Sequence, residues 1–142
     1  MQPRINSIIL AVDNLERAIE FYSKGLGLHT EGIMGSDLQD ALTGAHGTIC
    51  FFHLQNNLLF GLYERADLAK DAYIKQDSSS STEFSLGYFV SDKSQVEEVL
   101  KQAEIAGATL TGKPYDRPWG VYSAYFKDLD GHLWEIIYDP RI

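Results

Sequence analysis

Apolar positions along this chain follow two rhythms, and the rhythms alternate. Residues 4–12, RINSIILAV, form a short run of β-branched and aliphatic residues that predicts a strand. DNLER follows, with Asp13 as the expected N-cap and Glu16 three positions on. Leu15, Ala18, Ile19, Tyr22 and Leu26 then fall on one helical stripe, which GLGL ends. After LHTEGIM and a glycine-containing segment (35–47), the runs TICFFHL (48–54) and LLFGLYE (58–64) read as strands joined by QNN, a hairpin-type turn. The first stretch is therefore a βαβββ unit.

The same order returns further on. Residues 65–83 hold a helical turn, and DSSSST is too polar to pack, so 65–82 is expected to be a linker. EFSLGYFV (83–90) is a strand, SQVE (94–97) reads as a capping box, and Val96, Val99, Leu100, Ala103 and Ala106 make a second helical stripe before Gly107. ATLTG, VYSAYF and HLWEIIY complete a second βαβββ unit. Superimposing the two halves places Val12 on Val90, 78 positions apart, a spacing best explained by a duplicated half-domain. The expected fold class is α+β: two tandem modules, about 1–64 and 83–142, form curled mixed sheets with helices on the outer face. Each sheet then has one face covered by its helix and an opposite face free to cup a ligand.

Composition narrows the function. A chain of 142 residues has the length of one domain with a sizeable core. Twelve basic against twenty acidic residues give a net charge of −8, which repels phosphate backbones, so no nucleic-acid partner is expected. No apolar run approaches the roughly 20 residues of a membrane span, so no membrane partner is expected either. The single cysteine, Cys50, cannot form an internal disulfide, and no leader pattern opens the chain, so the expected location is cytoplasmic.

The candidate chemistry begins with Glu135. It interrupts the apolar run Leu133, Trp134, Ile136 and Ile137, where an uncompensated carboxylate costs several kcal/mol. Its partner is a metal, a ligand, water, or an arginine such as Arg65 or Arg117. Trp134 has the opposite parity and belongs to the core. Tyr63, Phe89 and Ile9 share the inner-face parity and would make a cavity there mostly apolar, and Trp119 in RPWGVY sits on a shaped loop able to close over a flat ligand. His53 reads as a strand histidine and Cys50 as a small core residue. No Ser–His–Asp spacing or phosphate-binding glycine loop is present.

Three features, IILAVDNLERAIEFYSKGLGL, FKDLDGHLWEI before the last strand, and the paired βαβββ pattern, resemble the vicinal oxygen chelate superfamily. That superfamily includes glyoxalase I, extradiol dioxygenases and bleomycin-resistance proteins. The resemblance implies a homodimer with two equivalent cavities. It also implies four metal-ligand positions, one on each of four strands, which fall here on Ser7, Gly61, Ser85 and Glu135. Serine hydroxyls are weak ligands and glycine offers none, so no metal and no other cofactor is expected. An off-pattern cluster of His53, Glu83 and Glu135 is the remaining route to a metal.

Three functions stay in play. The first is metal-independent capture of a small, partly apolar or aromatic molecule, with Trp119, Tyr63, Phe89, Ile9, Ser7 and Ser85 as ligand-binding residues and Glu135 as polar anchor. The second is a metal-free isomerase or lyase with Glu135 as base. The third is a glyoxalase-like lyase or dioxygenase using a divalent metal.

Overall fold

A computed structural model describes residues 1–78 and 80–142. The chain divides into two compact units, Met1–Ser78 and Ser79–Ile142. In the first, β1 (Ser7–Val12), β2 (Thr30–Met34), β3 (Ile49–His53) and β4 (Leu59–Glu64) form one sheet in the order β1-β4-β3-β2. β1 runs parallel to β4 and the other pairs are antiparallel. Helix α1 (Leu15–Glu20) packs on one face of this sheet, where Leu10, Val12, Cys50, Phe52, Phe60 and Leu62 are buried with Leu15 and Ala18.

The start of α1 differs from the sequence expectation by one residue. Asn14, not Asp13, is the N-cap, its side chain accepting from the Arg17 backbone N–H at 3.0 Å. Asp13 instead accepts from the Arg65 guanidinium at 2.8 Å. The helix then widens into a π-turn over Phe21–Gly25. One extra residue per turn shifts the phase of the apolar stripe, so Phe21 and Tyr22 are both buried. Tyr22 meets Phe60 edge-on, their ring centroids 5.0 Å apart, and Phe60 lies 5.8 Å from Phe52. Between β3 and β4, Asn56 and Asn57 both take positive φ, as asparagines do in tight strand connections.

Residues 65–71, expected within a linker, form helix α2 (Arg65–Asp71) of the first unit. Buried Asp67 accepts from the His46 backbone N–H at 3.0 Å, and Ala69 is buried beside it. Ser79, in the same expected linker, lies outside the described residues.

In the second unit, β5 (Ser85–Val90), β6 (Thr109–Leu110), β7 (Tyr115–Asp116), β8 (Tyr122–Lys127) and β9 (Leu133–Tyr138) make a five-stranded sheet. Its order is β5-β9-β8-β6, with β7 also on β8, and β5 is parallel to β9. Helix α3 (Lys93–Ile105) covers one face with Val96, Leu100 and Ala103, over buried Ala124, Phe126 and Ile136. Its N-cap is Asp92 rather than Ser94: Asp92 accepts from the Gln95 N–H at 2.9 Å and from the Ser94 hydroxyl at 2.6 Å. Trp134 stacks on Phe126 with ring centroids 6.1 Å apart, which places it on the core face as its parity required.

The DLDGH segment is a structural turn. Asp128 Oδ1 accepts from the backbone N–H groups of Asp130 and His132, and Asp128 Oδ2 lies 2.6 Å from His132 Nδ1. Both side chains are almost fully buried, so this carboxylate is held by the turn it closes. That turn fixes the register of β8 against β9.

Candidate functional site

Strand alternation in the second unit puts Ser123, Tyr125 and Lys127 on the same face as Leu133, Glu135 and Ile137, the face away from α3. Tyr125 lies directly across from Glu135 on β8, and Gly87 lies across from it on β5. The hydrogen-bond partner of Glu135 is a hydroxyl. Fully buried Ser123 donates its Oγ–H to Glu135 Oε1 at 2.8 Å, and the Tyr125 phenol stands beside the carboxylate on the same face. Burial pushes the Tyr125 phenol up from its ordinary value, and the neighbouring Glu135 carboxylate adds to the shift.

Neither expected arginine forms an ion pair with Glu135 among the described residues. Arg65 is taken by Asp13 and by the carbonyl of Ala11. Arg117 donates to the Tyr115 hydroxyl at 2.8 Å and to the Ser123 carbonyl at 3.2 Å, and its guanidinium lies 4.1 Å over the Tyr115 ring. Arg117 thus braces Ser123 and the Tyr115 ring on the strands beside Glu135.

Next to this network is an open cleft of about 590 Å³. Phe84 and Leu133 supply its apolar surface, and Ser85, Thr111, Tyr125 and Lys127 its polar groups. Ser85 therefore reaches a concave site, at the position across from Leu133.

The other expected residues are placed as follows. Trp119 is 62% exposed at the tip of a loop in which Gly120 N–H bonds the Arg117 carbonyl and Arg117 N–H bonds the Val121 carbonyl. Gly120 takes φ +97, so the loop is a tight turn closed by a glycine bulge that carries the indole outward. Phe89 is 55% exposed on β5, the edge strand of its sheet. Glu83 is exposed just before β5.

The corresponding face of the first unit is filled. A Cβ on Gly61 would stand 2.5 Å from Ile9 Cδ1 and 2.9 Å from Phe51 Cε1, so those two side chains already occupy the space. Ile9 and Phe51 are the residues paired with Gly61 on either side. Ser7, two pairs along β1, is exposed. Tyr63 is buried, but its hydroxyl bonds the His46 carbonyl, and it lines a separate cavity of about 300 Å³ with His46 and Asp71. His53 is exposed at the end of β3. Cys50 is fully buried against Thr30, and burial raises its thiol, which keeps it a core residue.

Sequence reasoning missed Ser123, Tyr125 and Lys127. Their signal was present: YSAYFK has the same alternation as LWEIIY, and a five-residue connection between the two strands sets which residues face each other.

Superfamily members that use a divalent ion need several strong donors. The four positions that correspond here give one carboxylate, two serines and a glycine whose side-chain space is filled, so these residues do not fit such an ion. Among the described residues no group of three or more His, Cys, Asp or Glu side chains is gathered to hold one, and the His53, Glu83 and Glu135 cluster does not form.

Two repeated βαβββ units define a class of fold, and residues 4–136 match the profile of one family in it. The chain belongs to the Glyoxalase/Bleomycin resistance protein/Dioxygenase superfamily. A glyoxalase-related enzyme from Fulvimarina pelagi superimposes over 97% of this chain and 89% of its own, with a TM-score of 0.77 at 22% identity. A lactoylglutathione lyase from Agrobacterium tumefaciens covers 97% of this chain and 95% of its own, with a TM-score of 0.63 at 21% identity. A glyoxalase/bleomycin resistance protein/dioxygenase from Nocardioides gives 0.75 at 18% identity, over 97% and 84% of the two chains. Likeness at these identities establishes the fold. No described helix is long and apolar enough to cross a membrane.

Proposed function

We propose that this protein binds a small, partly apolar or aromatic molecule without a metal ion, on the open face of its second unit. One observation carries the reading: Glu135, fixed by Ser123, stands beside a cleft, whereas the matching face of the first unit is packed shut around Gly61. A carboxylate held by one donor keeps acceptor capacity for a ligand N–H or O–H and so serves as a polar anchor. Phe89, Ser85 and the outward Trp119 of that unit are the remaining contacts of the proposal. The working form is a cytoplasmic homodimer, which light scattering on the purified protein tests.

A lyase using a divalent metal would have to draw its donors from Ser7, Gly61, Ser85 and Glu135, of which only the carboxylate is a strong ligand. A metal-free proton transfer is the second reading, favoured by the Tyr125 phenol standing across from the Glu135 carboxylate on the same face. A pH-dependent rate abolished by Glu135→Gln would establish it in place of pure binding.

The experiment is a thermal-shift screen of small aromatic and apolar molecules with and without EDTA, followed by calorimetry on the hits. We expect the hits to persist in EDTA and Glu135→Gln to weaken them about ten-fold with the fold intact, a loss in the range of one charge-assisted hydrogen bond. Hits abolished by EDTA, or affinity unchanged in Glu135→Gln, would remove the proposal.

A further inference from the structure

We infer that the first unit carries a binding site of its own, in the cavity lined by the 35–47 segment, β4 and α2, and that its ligand is a small primary alkylamine in the ammonium form. The inference goes beyond the preceding reading and does not depend on it, since every lining residue belongs to the first unit.

The cavity has fixed walls. Tyr63 on β4 donates its hydroxyl to the His46 carbonyl, and Asp67 on α2 accepts from the His46 N–H at 3.0 Å, so both backbone groups of His46 are gripped by side chains of the sheet and the helix. The 35–47 segment is braced within itself as well: Gln39 bridges to His46, and Asp40 accepts from the Leu42 N–H and the Thr43 hydroxyl. About 300 Å³ stays free between these supports, at the small end of the range for ligand pockets.

Three acceptors on this wall lack a donor. Tyr63 has one O–H and gives it to His46, so toward a ligand its oxygen only accepts. Gln39 spends an amide N–H on the Gly44 carbonyl, while its own carbonyl oxygen makes no bond among the described residues. The Asp71 carboxylate makes neither a hydrogen bond nor an ion pair among them. An ammonium group brings three N–H donors to these acceptors. Charge selects the same ligand: Asp40 and Asp71 line the cavity, no lysine or arginine does, and Lys70, beside Asp71 in α2, is not part of the wall. Asp67, bonded to the His46 N–H at the cavity's edge, is only 7% exposed and has no ion pair among the described residues. A buried carboxylate without a cation is costly, and a cationic ligand close by offsets that cost. Tyr63 registers this field, its phenol raised by burial first and then by Asp71 and Asp67. A metal ion does not fit, because no group of three or more His, Cys, Asp or Glu side chains is gathered among the described residues. Leu38, Ala45 and the Tyr63 ring give a short alkyl chain its apolar surface.

The test uses the full chain and four probes: butylammonium, tetramethylammonium, butyrate and Mg²⁺. Amide NMR shifts locate binding, and calorimetry gives affinities. We expect butylammonium to bind in the millimolar range, to shift the amides of residues 38–47 and of α2, and to weaken as salt rises. Tetramethylammonium, which has the charge but no N–H, should bind about ten-fold more weakly, and butyrate should not compete. Asp71→Asn should cost about ten-fold in affinity with thermal unfolding unchanged, whereas Asp37→Asn, at an exposed carboxylate off the cavity wall, should leave affinity as it is. Tetramethylammonium binding as tightly as butylammonium, displacement by Mg²⁺, or native affinity in Asp71→Asn would overturn the ligand class. Shifts confined to β8 and β9 would overturn this site while leaving the cleft of the second unit standing. If butylammonium moves no amide at millimolar concentration, the site itself falls.

Discussion

The two units carry the same strand pairings with opposite contents. In the first, Ile9 on the parallel neighbour and Phe51 on the antiparallel neighbour lean over Gly61 and fill its side-chain space. In the second, the parallel neighbour is Gly87, the central residue is Glu135, and the antiparallel neighbour is Tyr125. Glycine has changed places with the large residue: a polar side chain stands in the middle of the face where its flanking strand gives it room, and none stands where the flanking strand sends in an aliphatic one. The fold supplies two equivalent stations, and packing by the residue next door decides which can hold chemistry.

The sharpest way to break this comparison is to write the second unit's residue into the first. Gly61→Glu would drive a side chain into Ile9 and Phe51 and bury a charge, and we expect a loss of about 3–5 kcal/mol in urea unfolding. Adding Ile9→Gly copies the second unit's arrangement. The double variant should then be more stable than the sum of the two single effects by about 1–3 kcal/mol, and strict additivity would show that Ile9 is not what closes the station. A smaller effect is expected for Ser123→Ala, which removes a buried donor from Glu135 and should cost about 1–2 kcal/mol.

The smallest effect concerns pH. Burial and Glu135 raise the Tyr125 phenol above its reference value of 10.0, so the native state keeps that proton to higher pH than the unfolded chain does. Between the two values the folded protein binds more protons, and stability is present below pH 10 and falls as pH rises through the native value. Tyr125→Phe, which places at this station the ring that the first unit has at Phe51, should flatten that alkaline decline. Tyr63 and Tyr122 are raised as well and should leave a residual slope. An unchanged slope in Tyr125→Phe would mean that the phenol is not coupled to the carboxylate.

Much of the fold was legible in the sequence because alternation and helical stripes report burial directly. The repeat placed Val12 on Val90, and the paired strands carry those residues at matching ends of β1 and β5. What was illegible depended on competition between neighbours. Asp13 and Asn14 are both able to cap α1, and the choice fell to Asn14 because Asp13 is engaged by Arg65, 52 positions away. Helix α2 was hidden by polar letters whose key member, Asp67, is buried to bind the His46 N–H. For the site, the parity of Glu135 and the missing donor at Gly61 could be read from strings of letters. The Ser123 hydroxyl on Glu135 and the intrusion of Ile9 could not, since both depend on strand register.

The filled space at Gly61 also has a historical meaning. A single codon change there to an acidic residue meets a side chain already in place, so it is selected against before any new chemistry can repay it. Ile9 or Phe51 must shrink first, and the order of substitutions becomes one-way. Until then even a methyl group at this station meets Ile9 and Phe51, and innovation is channelled into the other half of the duplication.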